Sequence, residues 1–228
     1  MTRRFDRLVV LWRDADGRRH VIGDLWRESD GRFAFGYRPD LDGARNVGFE
    51  RLPEFREERL EDAPYRSSYL FPTFAQRIPS PKRSDRAALL REWGVDDADD
   101  PMEILARSGG IQLTDSLELA EYRPEDDDLR RPLEFRLAGR RHFGASARLK
   151  EGTLLRLRRE PTNDHDSSAT LVLLVDGEPV GYVPRQYSAM VARLLDQGAV
   201  LATRTVRRHL LPEELGPWVL EISRDQTK

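Results

Sequence analysis

The chain has no cysteine, so disulfides and thiolate metal sites are excluded. Lacking disulfides, it fits a reducing compartment. It has no long apolar run: the opening MTRRFDRLVVLWRDADGRRH breaks its short hydrophobic stretch with charges, which makes it neither a signal peptide nor a membrane span. The expectation is a soluble cytoplasmic protein. Histidine is scarce: His20, His142, His165 and His209 fall at no zinc spacing. No His-Glu-x-x-His, Walker loop or Gly-x-Ser-x-Gly elbow occurs. Asp164-x-Asp166-x-Ser168 resembles the start of a calcium loop but lacks its glycine and distant glutamate. The reading is a non-enzymatic protein with no metal and no cofactor. A metal-dependent nuclease is the alternative that the acidic residues near Asp164 leave open.

What is present is charge, at 34% of the 228 residues against 39% apolar. That balance is polar for a globular chain but not typical of disorder. The net charge of −2 conceals an uneven distribution. Up to Leu129 there are 21 Lys and Arg against 28 Asp and Glu, net −7; from Arg130 on there are 17 against 12, net +5. Almost all the cations are arginine, whose planar fork suits phosphate. Such asymmetry separates a protein-facing part from a nucleic-acid-facing part, or simply reflects sorted surface charge.

The pattern predicts a small antiparallel sheet first. LVVLWRD and RHVIGDLWRE flank the turn DADG, and GRFAFGYRPD alternates Phe33, Phe35 and Tyr37 on one face before Pro39. Residues 41–69 read as loops and short elements. LFPTF suggests one helical turn. SDRAALLREWG predicts a helix capped by Ser84 with Leu89, Leu90 and Trp93 inward, ended by Gly94. DPMEILARSGG predicts another, with Pro101 in its first turn and Ile104 and Leu105 inward. The charged, proline-bracketed segment 123–132 reads as a linker. Beyond it LEFRLAG, GTLLRLRRE, ATLVLLVDG and EPVGYVP read as strands, Asp176-Gly177 as a hairpin turn, RQYSAMVARLLDQGA as a helix, and VLATRTVRR and WVLEIS as closing strands. The fold class expected is α+β: a small N-terminal sheet with short helices over residues 1–122, then a C-terminal OB-like β-barrel with one or two helices over 133–228.

Three stretches stand in order in the second part: Gly139 to Phe143, REPTNDHDSSA and VGYVPR. Together, over residues 132–224, they resemble the HIRAN domain, found in a helicase-like transcription factor, its yeast relatives and many bacterial proteins. The resemblance implies an OB-like barrel that grips single-stranded DNA at a 3′ end. The residue chemistry agrees, because a single strand is held by cations along its phosphates and flat groups against its bases. Arg141 suits a phosphate, and His142 or Phe143 suits a base. His165 and Asp166 stand where the eukaryotic motif has an aromatic and an aspartate; a carboxylate there would accept a hydrogen bond from a terminal hydroxyl. Arg185 is the ligand candidate of the VGYVPR box. The family's tyrosines are histidines at 142 and 165, and Trp218 is the candidate for its late aromatic. The same residues have plainer readings. Asn163, Asp164 and Asp166 build an Asx-type turn; Val180, Tyr182 and Val183 are core; Arg156 and Arg158 form a solvated strand face.

In the first part, IGDLWRESDGRFAFGYRPDL and residues 70–110 resemble the N-terminal subdomain of HipA-type kinases over residues 8–120, while no kinase catalytic motif follows. This implies a HipA-like kinase partner in a toxin–antitoxin or defence setting. The alternatives are an antitoxin-like interaction module without a DNA role, and a small domain that is simply packed.

Overall fold

The computed structural model describes residues 5–56, 63–209, 211 and 217–224. The chain divides into two compact units, Met1–Tyr122 and Arg123–Lys228. Among the described residues no helix is long and apolar enough to cross a membrane.

In the first unit, strands β1 (Arg7–Arg13), β2 (Arg19–Arg27), β3 (Phe33–Tyr37), β4 (Tyr65–Ser67) and β5 (Leu117–Glu121) form one sheet in the order β4-β3-β2-β1-β5. Every pairing is antiparallel. The DADG turn closes on Asp14, whose carbonyl accepts the Gly17 N–H and whose side chain accepts the Arg18 N–H. Helices α1 (Asp42–Arg45), α2 (Pro72–Ala75), α3 (Arg86–Trp93) and α4 (Pro101–Ser108) lie between β3 and β5. The core is aromatic. Phe35 is fully buried and its ring lies 4.4 Å from Phe55, 4.9 Å from Tyr37 and 5.6 Å from Phe74.

Two local readings change. Helix α3 begins at Arg86 after Asp85, not at a Ser84 cap, and no side chain caps its first turn. Strand β5, Leu-Glu-Leu-Ala-Glu, was not foreseen. Its composition favours helix, and its strand conformation comes from pairing with β1 from Leu8↔Glu121 to Trp12↔Leu117. Helix α4 forms as its signals indicate: the Asp100 side chain accepts the Met102 N–H, Ile104 and Leu105 are buried, and Gly109 ends it at φ 76°.

In the second unit, β6 (Leu133–Arg136), β7 (Leu154–Arg159), β8 (Thr170–Leu174), β9 (Pro179–Tyr182), β10 (Leu201–Arg208) and β11 (Trp218–Arg224) form a six-stranded sheet in the order β6-β11-β10-β7-β8-β9. The sheet curls until its edges meet. Ala138, just past β6, exchanges both backbone hydrogen bonds with Tyr182 of β9, each at 2.9 Å. Gly181 permits this approach, since a Cβ there would lie 2.9 Å from the Ala138 carbonyl oxygen and 3.0 Å from the Leu137 Cβ. Helix α5 (Arg185–Asp196) follows β9 directly and buries Tyr187, Met190, Val191 and Leu194 at helical spacing.

Residues 123–132 are no free linker. Arg123 and Leu129 are buried, and the Arg123 guanidinium donates to Asp127 and to the Pro132 carbonyl. Arg193 of α5 donates to the carbonyls of Glu125 and Asp127. Charge and proline mark a surface segment, but arginine forks reaching its carbonyls tie this one down.

Candidate nucleic-acid interface

Three pieces of the second unit come together where β6 meets β9. The first is a 3-10 turn, Arg140–His142, entered through Gly139 at φ 63°. The second is the loop 160–169 between β7 and β8. The third is the start of α5. Of the six residues singled out from the sequence, side-chain contacts tie Phe143 to Tyr182 of β9 and Asp166 to Ser188 of α5, while Arg141, His142, His165 and Arg185 are exposed on these pieces.

Arg141 and His142 are exposed on the 3-10 turn, and Arg141 Nε donates to His142 Nε2 at 3.3 Å. Phe143 is half-buried and its ring lies 5.7 Å from that of Tyr182. The Tyr182 hydroxyl donates to Glu160 Oε2 at 2.9 Å, and Asn163 Nδ2 donates to the same oxygen at 3.3 Å. Asn163 Oδ1 accepts the His165 backbone N–H, the expected Asx turn, and the loop leaves the His165 ring exposed. Asp166 then ties the loop to α5. Its Oδ1 accepts the Ser168 N–H and its Oδ2 accepts the Ser188 hydroxyl, each at 2.8 Å. Ser188 Oγ also lies 2.9 Å from the carbonyl of Arg185, whose side chain is exposed at the first position of the helix.

Arg141, Arg156 and Arg185 make no ion pair among the described residues, whereas Arg148, Arg158, Arg159, Arg204 and Arg207 each have a carboxylate partner. An exposed guanidinium without such a partner is open to a phosphate. Burial raises the pKa of Tyr182 from its ordinary value, and the hydrogen bond to Glu160 and that residue's charge add to the effect. Tyr182 therefore keeps its proton at neutral pH and remains the donor to Glu160.

Several sequence expectations change here. Tyr182 is not sealed core; Val180 and Val183 are, while Tyr182 is half-buried and carries the ring and hydroxyl that join two of the three pieces. The β9 bulge against β8, between Leu173↔Pro179 and Val172↔Gly181, interrupts the simple alternation of faces. Glu160 was missed because an acid beside arginines reads as an ordinary surface pair. Arg159, beside the Arg156 and Arg158 face, donates to the Ala169 and Ser167 carbonyls and to Asp196, clamping both ends of the loop. Asp166 is engaged by two internal donors, so its first role is to hold the loop, and each oxygen retains one further lone pair. Trp218 sits on β11 opposite Arg208 and makes no ring contact with the Phe143–Tyr182 pair among the described residues. Among the described residues no group of three or more His, Asp or Glu side chains is placed to hold a metal ion.

Residues 132–214 match the HIRAN domain. The matched region contains the turn, the loop and the start of α5, and it does not reach the first unit. Two solved structures are similar to this chain. One is the crystal structure of the HIRAN domain of human HLTF, at 19% identity, covering 41% of this chain and 74% of that one with a TM-score of 0.35. The other is the crystal structure of a protein from Lactobacillus plantarum, at 23% identity, covering 41% of this chain and 95% of that one, also with a TM-score of 0.35. No curated protein matches the chain. The HIRAN match suggests DNA binding for the second unit.

Proposed function

We propose that the second unit is a non-enzymatic binding module of OB-like architecture that takes single-stranded DNA, with preference for an end. It would bind across the 3-10 turn, the loop 160–169 and the start of α5. What supports this reading is that, inside the HIRAN match, two exposed cations that make no ion pair among the described residues stand on linked pieces: Arg141 on the turn that carries Phe143, whose ring lies 5.7 Å from that of Tyr182, and Arg185 at the helix start to which Asp166 is hydrogen-bonded through Ser188. The cations would follow phosphates while Phe143, His142 and His165 lie against bases. The remaining lone pairs of Asp166 would accept a terminal hydroxyl where an internal phosphate is repelled. The net charge of +5 from Arg130 onward favours the polyanion. The acidic first unit is left to protein contact, with a HipA-like kinase as the candidate partner, and the setting would be cytoplasmic.

Fluorescence anisotropy with labelled single-stranded oligonucleotides over a salt series tests the reading. Arg141→Ala should weaken binding roughly tenfold and reduce the salt slope by about one, as expected for one lost phosphate contact. Its stability should change by no more than about 0.5 kcal/mol, because the side chain is exposed. Oligonucleotides ending in a 3′-phosphate should bind less tightly than those ending in a hydroxyl. Absence of binding at low salt, or wild-type affinity in Arg141→Ala, would overturn the DNA reading.

A further inference from the structure

The first unit is acidic, yet one of its clefts is lined by cations. Between the end of β3, the α1 turn and the start of β4 lies a cleft of about 130 Å³ bordered by Tyr37, Arg38, Arg45, Arg51 and Tyr65. Among the described residues its lining contains three arginines and no carboxylate.

The charges of those arginines are only partly met from within. Arg38 lies on both oxygens of Asp24, with Nη2 at 2.9 Å and Nε at 2.8 Å, and Arg7 Nη2 shares the second oxygen at 3.1 Å, so one carboxylate serves two guanidinium groups. Among the described residues Arg45 pairs only with Asp42, at 3.6 Å, with both side chains exposed. Arg51 makes no ion pair among the described residues; its guanidinium lies 5.3 Å from the centre of the Tyr37 ring, which orients it without neutralising it.

Tyr37 supplies the second observation. Its hydroxyl accepts the Leu52 N–H at 2.8 Å, and its own proton has no acceptor among the described residues. Burial pushes its pKa up to about 12, so the proton stays on and the hydroxyl remains a donor. Among the described residues the cleft thus offers guanidinium forks and a hydroxyl donor, with no carboxylate in its lining. A carboxylate ligand has two oxygens to satisfy, whereas a phosphoryl group presents three terminal oxygens and up to two charges to the same donors.

We propose that the cleft bounded by Tyr37, Arg38, Arg45 and Arg51 binds a phosphoryl group, either free phosphate or the phosphate of a small monoester. Arg51 and Arg45 form the bidentate contacts, Arg38 is held in place by Asp24, and the Tyr37 hydroxyl donates to a remaining oxygen. The site is separate from the nucleic-acid reading, because it lies in the first unit and shares no residue with the second.

Chemical-shift titration of the full chain with inorganic phosphate, with adenosine monophosphate and with acetate, at matched ionic strength, tests it. Phosphate and the monophosphate should shift the amides around Tyr37, Arg51 and Leu52, and acetate should not. Tighter binding of adenosine monophosphate identifies a monoester as the ligand; equal binding identifies phosphate itself. Arg45→Ala/Arg51→Ala changes two side chains outside the core, and it should bind phosphate at least about tenfold more weakly, the loss expected on removing charge-assisted bonds. Tyr37→Phe should weaken binding less. Arg141→Ala should bind phosphate as the wild type does. No shifts in this region, equal binding of acetate, wild-type affinity in the double variant, or loss of phosphate binding in Arg141→Ala would each overturn the proposal.

Discussion

At the scale of single residues, the second unit separates side chains that hold the structure from those that face outward. Asp166, Glu160 and Arg159 are engaged inside the protein, while Arg141, His142, His165 and Arg185 are exposed. His209 is the residue with the clearest pH signature. It is 1% exposed, its Nδ1 is 3.3 Å from Arg136 Nη1, and its Nε2 has no hydrogen-bond partner among the described residues. Burial lowers its pKa from 6.5 to about 3, with Arg136 and Arg207 adding to the effect and Glu134 opposing it. Between those two values the unfolded chain binds a proton that the folded chain does not. This contribution to stability is complete above the unfolded pKa and is lost as pH falls toward 3, at up to about 1.4 kcal/mol per pH unit. Denaturant unfolding from pH 7 to pH 4 should therefore fall more steeply for the wild type than for His209→Gln. Parallel curves would show that His209 is not neutral and buried in solution.

At the scale of elements, the curl of the second sheet depends on one point of closure. Ala138 and Tyr182 pair only because Gly181 carries no side chain, and the same pairing sets Phe143 beside the Tyr182 ring. Gly181→Ala should cost about 1–3 kcal/mol, since the new Cβ must displace the Ala138 backbone just past β6 rather than a flexible side-chain tip. Urea unfolding measures this. The spectrum of Phe143 and Tyr182 should change with it, and a loss below about 0.5 kcal/mol would mean that the edges are not closely joined. The strands themselves were legible where alternation or turn chemistry was strong. Gly177, at φ 94°, closes the β8–β9 hairpin that Asp176-Gly177 announced. β5 was illegible because helix-favouring residues became a strand through a partner far away in sequence.

At the scale of the whole molecule, each unit carries its own sheet and buried residues, and the second begins at Arg123. A fragment spanning 123–228 should fold. One spanning 133–228 should be less stable by about 2 kcal/mol or more, because it loses the buried Leu129 and the carbonyls that Arg193 holds. Thermal and denaturant unfolding of the two fragments would decide this, and equal stabilities would restore the linker reading. The amino-acid order alone determined the strand-rich second part, the helix α5 and its buried face, the Asx turn at Asn163 and the opposite charges of the two parts. These follow from local periodicity, turn chemistry and composition, which are properties of neighbouring residues. Only the tertiary structure decided that Tyr182 bridges the turn and the loop, that Arg159 is a clamp and that Asp166 is tied to Ser188. It also decided that Arg38, Arg45 and Arg51 share a cleft. Each of those outcomes depends on which distant backbone comes within hydrogen-bond reach of a side chain, and sheet closure settles that distance.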